Sequence, residues 1–281
     1  MTNRKMKRIA FGTIKFLFSS LILFIMTYPL YWLFTSSFKD GFEISSFPPT
    51  FFVHRPTLEN FRIISEKWNV LGKMFLNSLI LSTIIPIVQT IVCVPAAYSF
   101  ARLKFKGRNV IFIIFMSSMM IPPQLTMITN YLTITTKLHL MNNLMSLIVL
   151  GVFSAFAIFM LRQFFMTIPQ DLEDQAKIDG CGPVRSFLHV SLPLAKPMIV
   201  INLILCFNAV WSDFFGPMLF LRKTNMMTIA IGINVLNGVY STQSLGVMVA
   251  SLAIATLPAV IVYLIFRKQL VAGITASGLK M

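Results

Sequence analysis

Six stretches of this chain are apolar over the length needed to cross a lipid bilayer, which constrains its fold more than any other feature. They are Phe16–Phe38, Met74–Ala101, Val110–Ile128, Leu144–Leu161, Met198–Leu221 and Val247–Phe266. A helix rising about 1.5 Å per residue needs roughly 20 residues to cross about 30 Å of hydrocarbon. Only the fifth stretch contains a charge, Asp213. Composition agrees: 12% of the residues are charged, where soluble chains carry about a quarter. The expected fold class is therefore an all-α membrane protein with six transmembrane helices. The first stretch is too long for the apolar part of a cleaved signal peptide, and no clear small-residue cleavage site follows it.

Six spans would divide the 24 Lys and Arg residues unevenly. Sixteen fall on the side of the N-terminus: Arg4, Lys5, Lys7, Arg8, Lys15, Arg102, Lys104, Lys106, Arg108, Arg162, Lys177, Arg185, Lys196, Arg267, Lys268 and Lys280. Lys39, Arg55, Arg62, Lys67, Lys73, Lys137, Arg222 and Lys223 fall on the other. Cations collect in cytoplasmic flanks, so both termini are expected in the cytoplasm. The net charge of +15 is then mainly a topology signal, and no nucleic-acid partner is expected. On this division residues 1–70 form a transmembrane helix and an extracytoplasmic loop. Residues 71–267 form a transmembrane core with a cytoplasmic loop at 168–197, and residues 268–281 a short cytoplasmic tail.

In the extracytoplasmic segment, "SFPPTF" reads as extended, because a residue before proline avoids the helical region. "PTLENFRIISEKW" reads as a short helix capped by Thr57, with Leu58, Phe61, Ile64 and Trp68 on one face. A lid packed on the membrane domain and a contact for an extracellular partner both fit it. The third span contains Pro122-Pro123-Gln124. A double proline frees backbone carbonyls, which protein or a wet cavity must satisfy, so a bent helix beside a pathway is expected, with plain packing as the alternative. In the fifth span Asn202, Cys206, Ala209, Asp213 and Gly216 recur at helical spacing. A carboxylate there faces a bundle interior or water, so Asn202, Ala209, Asp213 and Gly216, with Pro122 and Gln124, are candidate path residues. Close packing of small residues is the competing reading.

Several chemistries are missing. No G-x-x-x-x-G-K-[ST] exists to hold a nucleotide phosphate, and no H-E-x-x-H. His54, His139 and His189 lie on separate loops, and Cys93, Cys181 and Cys206 show no paired spacing. No catalytic residue, metal or cofactor is expected on this chain, and no filter sequence marks a channel.

Asp171–Pro197, "DLEDQAKIDGCGPVRSFLHVSLPLAKP", interrupts the apolar pattern with four of the nine acidic residues. Pro169 suits a first helical turn, and Asp171, Glu173 and Asp174 lie at the favourable end of its dipole. Leu172, Ala176 and Ile178 supply a modest apolar face. Gly180 can end the helix in the left-handed conformation. Pro183 opens a second helix running to about Leu192, where Pro193 stops it. A solvated loop would not need two such helices, so docking to a cytoplasmic partner is the better reading.

The same stretch resembles the cytoplasmic loop of permease subunits of ATP-binding-cassette importers. The family pattern is Glu-Ala-Ala, three residues, Gly and a downstream Leu-Pro. It falls here on Asp174-Gln175-Ala176, Gly180 and Leu192-Pro193, with Asp for Glu and Gln for Ala. The likeness continues through "SFPPT", "PTLENF", "LNSLI", "FKGRN", "MIPPQ" and "FRKQLVAGIT", nearly the whole chain. It is greatest to the shorter, six-span permease of maltose- and oligosaccharide-type systems. The resemblance implies a type I importer permease fold in the bacterial cytoplasmic membrane. It implies a second permease, two ATPase subunits that bind the ATP, an extracytoplasmic sugar-binding protein and a sugar substrate. Glu173, Asp174, Gln175, Ala176, Asp179, Gly180, Leu192 and Pro193 would couple this chain to the ATPase. A permease for a sugar phosphate or peptide, an ion-coupled transporter using Asp213, and a membrane scaffold are the alternatives.

Overall fold

The computed structural model describes residues 2–239 and 245–278, with side chains described for 11–234 and 245–270. Lys280 lies outside the described residues, and Arg4, Lys5, Lys7 and Arg8 are described by backbone alone. The helices are α1 (Thr2–Ser36), α2 (Gly41–Ile44), α3 (Glu59–Glu66), α4 (Trp68–Arg102), α5 (Arg108–Ser118), α6 (Pro123–Leu132), α7 (Met145–Gly151) and α8 (Ala155–Thr167). They continue as α9 (Gln170–Ile178), α10 (Pro183–Ser186), α11 (Leu192–Leu194), α12 (Lys196–Trp211), α13 (Phe215–Phe220), α14 (Ile229–Val239) and α15 (Leu245–Gly278). Thr133–Lys137 and Phe187–Ser191 are π-helical.

Among the described residues three helices are long and apolar enough to span unbroken: Phe11–Ser36, Trp68–Arg102 and Leu245–Leu270. The other three candidate spans are bent pairs, by 93° between α5 and α6, 42° between α7 and α8, and 72° at Leu194–Lys196. The third apolar stretch is thus bent, as expected, and so sharply that the helix is broken there. Pro122 and Pro123 supply neither amide, so the chain restarts at Pro123 instead of carrying the ladder through. The last helix runs on through the residues expected as a tail, up to Gly278, because nothing in that sequence breaks it.

The chain forms two compact units. One comprises the chain up to Trp68 together with Ile233–Thr256; the other comprises Asn69–Gly232 and the chain from Leu257 onward.

In the first unit the apolar length of α1 is exposed, as suits a lipid-facing helix. Beyond it the loop is held by buried polar groups. Lys39 is 1% exposed and donates through Nζ to the Thr50 carbonyl at 2.6 Å. Asn60 Nδ2 donates to the Ser37 and Lys39 carbonyls at 2.9 Å each, satisfying groups left over beyond the end of α1. Asp40 caps α2 by accepting from the Glu43 amide at 2.7 Å. The N-cap position of α3 is Leu58 and not the expected Thr57, whose hydroxyl nevertheless accepts from the Glu59 amide at 3.1 Å from one residue earlier. The buried face of α3 also differs from the expected one: Asn60 and Ile64 are buried, whereas Leu58 and Trp68 are exposed. The need to satisfy two carbonyls draws Asn60 inward at the expense of Leu58.

Glu43 organises the far side of this loop. Its carboxylate accepts from the His54 amide at 2.9 Å, the Arg55 amide at 3.2 Å and the Thr50 hydroxyl at 3.1 Å. The His54 amide bond, with the other donors and against partial burial, lowers its pKa to about 2. Since the folded pKa lies below the ordinary 4.5, the stabilisation is complete above that pH and disappears as pH falls through about 2. The carboxyl ¹³C resonance of Glu43 should titrate near pH 2, and Glu43→Gln should speed proteolysis of residues 43–57 at neutral pH.

In the second unit α4 is the central helix. One cluster packs Cys93, Ala97, Tyr98 and Phe100 of α4 against Ile158, Leu161 and Phe165 of α8. Another packs Leu81 and Ile85 against Ile134, Leu147, Phe220 and Leu221. At Gly151 the approach of α7 to α4 is so close that a Cβ would lie 2.5 Å from Ile85 Cγ2. Gly151→Ala should therefore destabilise the fold by about 1–3 kcal/mol through overpacking. Thermal unfolding in detergent should register the loss, and Ile85→Ala in the same chain should return part of it.

Candidate functional site

The fifth apolar stretch does not stay helical to its end, and this decides where Asp213 lies. α12 stops at Trp211, and α13 begins at Phe215. The cause is Gly216-Pro217: the proline lacks the amide that would bond the Asp213 carbonyl, and its ring would clash there. Asp213 consequently sits in a helix break, where its Oδ1 accepts from the Gly216 amide at 3.3 Å. A Cβ at Gly216 would lie 2.6 Å from Asp213 Oδ2 and 3.2 Å from Leu147 Cδ2, so a side chain there would push the carboxylate aside.

A cavity of about 430 Å³ opens at this break. Asp213, Gln124 and Asn130 are its polar lining, with Gly216, Phe215, Phe220, Leu81 and Ile85 among the apolar part. The structure thus brings together three expected path residues, Gln124, Asp213 and Gly216. The other three lie elsewhere. Pro122 caps α6, and its neighbour Pro123 lines the cavity instead. Asn202 is 3% exposed, donating to Thr90 Oγ1 at 3.3 Å, and Ala209, two turns further along α12, is exposed and outside the cavity lining. The expected stripe fails because the helix that would carry it ends before Asp213. Asn130 joins the site without a sequence signal of its own, being one polar residue among several in its segment.

A second region, the charged loop, also departs from its sequence reading in part. α9 ends in a Schellman turn, with Gly180 at φ +80°, its amide donating to the Lys177 carbonyl at 3.0 Å and the Cys181 amide to the Ala176 carbonyl at 2.9 Å. Around Gly180 the chain leaves open space, with nothing within 4 Å of the point where a Cβ would lie. Pro193 does not stop the second helix. The chain widens into the π segment Phe187–Ser191, which relieves the clash of the proline ring with the preceding turn, and continues as α11.

The buried face of α9 is Glu173 and Ala176, while Ile178, expected to pack, is 86% exposed. Glu173 Oε1 accepts from the Ser191 hydroxyl at 2.6 Å and lies 3.2 Å from Arg102 Nε. Asp174 instead pairs with Lys177 at 2.6 Å on the surface. Gln175, Asp179, Gly180 and Pro193 are exposed and Leu192 is half-buried. In the sequence Arg102 stands out only as a flanking cation, and Ser191 not at all.

Three comparisons bear on these features. Residues 89–276 match the family described as the binding-protein-dependent transport system inner membrane component. The chain belongs to this family. It is 28% identical to the arabinooligosaccharides transport system permease AraQ of Bacillus subtilis, covering 94% of each chain. It is 30% identical to AraQ of Halalkalibacterium halodurans over 92% of this chain and 93% of that one. The trehalose/maltose transport permease MalG of Thermococcus litoralis is 28% identical, over 92% and 94%. In fold the chain matches a crystal structure of a bacterial ABC transporter that imports the acidic polysaccharide alginate. The TM-score is 0.78 at 22% identity, over 93% of this chain and 97% of that one. This is a multi-pass inner-membrane transport component with a type I importer permease fold.

If the Asp213 break is hydrated, Asp213→Cys should react in membrane vesicles with a small charged thiol reagent. Leu205→Cys, on an exposed lipid-suited face of α12, should stay unlabelled, because a thiol in hydrocarbon does not ionise.

Proposed function

We propose that this chain is the permease subunit of an ATP-driven carbohydrate importer, forming half of the path for an oligosaccharide. The observation that carries the reading is the charged loop. Two short helices meet at a left-handed Gly180, and Ile178 and Val184 beside it are 86% and 71% exposed. Exposed apolar side chains on a polar loop suit a protein cleft better than water. The chain has no phosphate-binding loop, so ATP would be bound and hydrolysed by two partner ATPase subunits. Asp174, Gln175, Ala176, Asp179, Gly180, Leu192 and Pro193 would form or support the docked surface.

A second permease would supply the other half of the path, and an extracytoplasmic binding protein would deliver the solute. The cavity supports a neutral polyol as cargo. One carboxylate and two carboxamides, beside the rings of Phe215 and Phe220, offer hydroxyl groups acceptors, donors and an apolar wall. The systems named for similar proteins handle arabino-oligosaccharides and trehalose or maltose, which agrees with that chemistry.

Substitution at Gly180 tests the coupling. Leucine at φ +80° strains the turn by about 1–2 kcal/mol, far less than the packing of the spans. Gly180→Leu should insert and pair with the second permease normally, yet lose uptake and the stimulation of ATP hydrolysis by loaded binding protein. Wild-type uptake with stimulated hydrolysis in this variant would remove the coupling role from the loop.

A further inference from the structure

Glu173 is the acidic residue of the loop that no partner can reach. It is 5% exposed, while Asp171, Asp174 and Asp179 around it face outward or half outward. A loop made only to dock has no use for a desolvated carboxylate, since burial opposes its charge unless it is paired. Its partner, Arg102, is the last residue of α4, and the two side chains, Arg102 and Glu173, are 10% and 6% exposed. The Arg102 Nε contact at 3.2 Å is an ion pair without hydrogen-bond alignment. The guanidinium Nη2 donates to the Ile168 carbonyl, and Ser191 donates to the same Glu173 oxygen. The end of α8, the helix α9 and the π segment before α11 therefore all meet at one end of α4.

We infer that α4 is a second transmission element between the loop and the Asp213 cavity, fastened to the loop by the Glu173–Arg102 pair. This rests on the coupling role proposed above for the loop. The two residues are then positioning residues, not part of the docked surface.

The route is contiguous. α4 is unbroken from Trp68 to Arg102, and its Leu81 and Ile85 line the cavity. Ile85 and Arg102 are separated by about 26 Å of helix at 1.5 Å per residue. At the cavity end Gly151 locks α7 onto Ile85 without room for a methyl group. The covalent route from the loop to Asp213 is softer by comparison. It passes through the π segment Phe187–Ser191 and the 72° bend before α12. A helix packed along its length transmits a displacement more directly than one interrupted twice.

The test uses the permease complex purified with its ATPase subunits in nanodiscs, with Cys93, Cys181 and Cys206 replaced by alanine and Leu150→Cys as the reporter in the cavity wall. Labelling by a charged methanethiosulfonate reagent is compared at rest and after trapping with MgATP and vanadate. In this background the trapped and resting rates should differ. Glu173→Gln and Arg102→Met should each close at least half of that difference. The double variant should go no further than either single one, as expected for two residues acting as a unit. Arg102→Lys should restore most of the response, which a loss of folding would not. A full response in both single variants, or additive effects in the double one, overturns the inference. Equal trapped and resting rates in the unmodified background would instead overturn the coupling role of the loop, and this inference with it. Where Glu173→Gln fails to co-purify with the ATPase, Arg102→Met and Arg102→Lys decide the question by the same criteria, since Arg102 lies off the loop.

Discussion

A membrane-spanning chain has no water with which to satisfy its backbone, and this chain breaks its helices repeatedly. The polar side chains of α4 meet much of that need. Gln89 Nε2 donates to the Gly151 carbonyl at 3.1 Å, where α7 ends. Asn77 Nδ2 donates to the Asn225 and Met227 carbonyls at 3.0 Å each, and Ser78 Oγ accepts the Ile229 amide at 2.9 Å, where α14 starts. At the other end Arg102 donates to the carbonyl of Ile168, just past α8, and Arg162 of α8 donates back to the Phe100 carbonyl at 3.2 Å. Each of these bonds covers a backbone group at or near a helix end.

This arrangement explains how breaks and stability coexist. The bend at α7–α8 and the start of α14 lie against a helix that is itself continuous despite Pro86 and Pro95. The break at Asp213 is different in kind. There the freed Gly216 amide is taken by the carboxylate of the chain's own residue, beside a cavity. A polar break kept open next to empty volume suits a path, whereas a break closed by a neighbour's side chain suits a scaffold.

The loop shows the same economy on a smaller scale. Its surface presents residues for a partner, and its inner face carries one acid paired across to α4. Docking and anchoring are divided between adjacent residues, Asp174 outward and Glu173 inward, because successive helical positions point about 100° apart.

The number and place of the apolar stretches, the left-handed Gly180 and the acidic first turn of α9 follow from the sequence alone, since hydropathy over about 20 residues and a glycine after a helix act locally. Gly216-Pro217 also carries its signal locally: it ends α12, although the apolar stretch runs on past it. Other features depended on groups distant in the chain. Asn60 turns inward to satisfy carbonyls more than twenty positions before it, and Glu173 finds Arg102 seventy-one positions away. Gln124, Asn130 and Asp213 come to line one cavity only after three broken helices fold around α4. Local periodicity fixes which face of a helix is apolar. Which polar group must be satisfied, and by whom, is decided only when the chain ends to be covered have been brought into place.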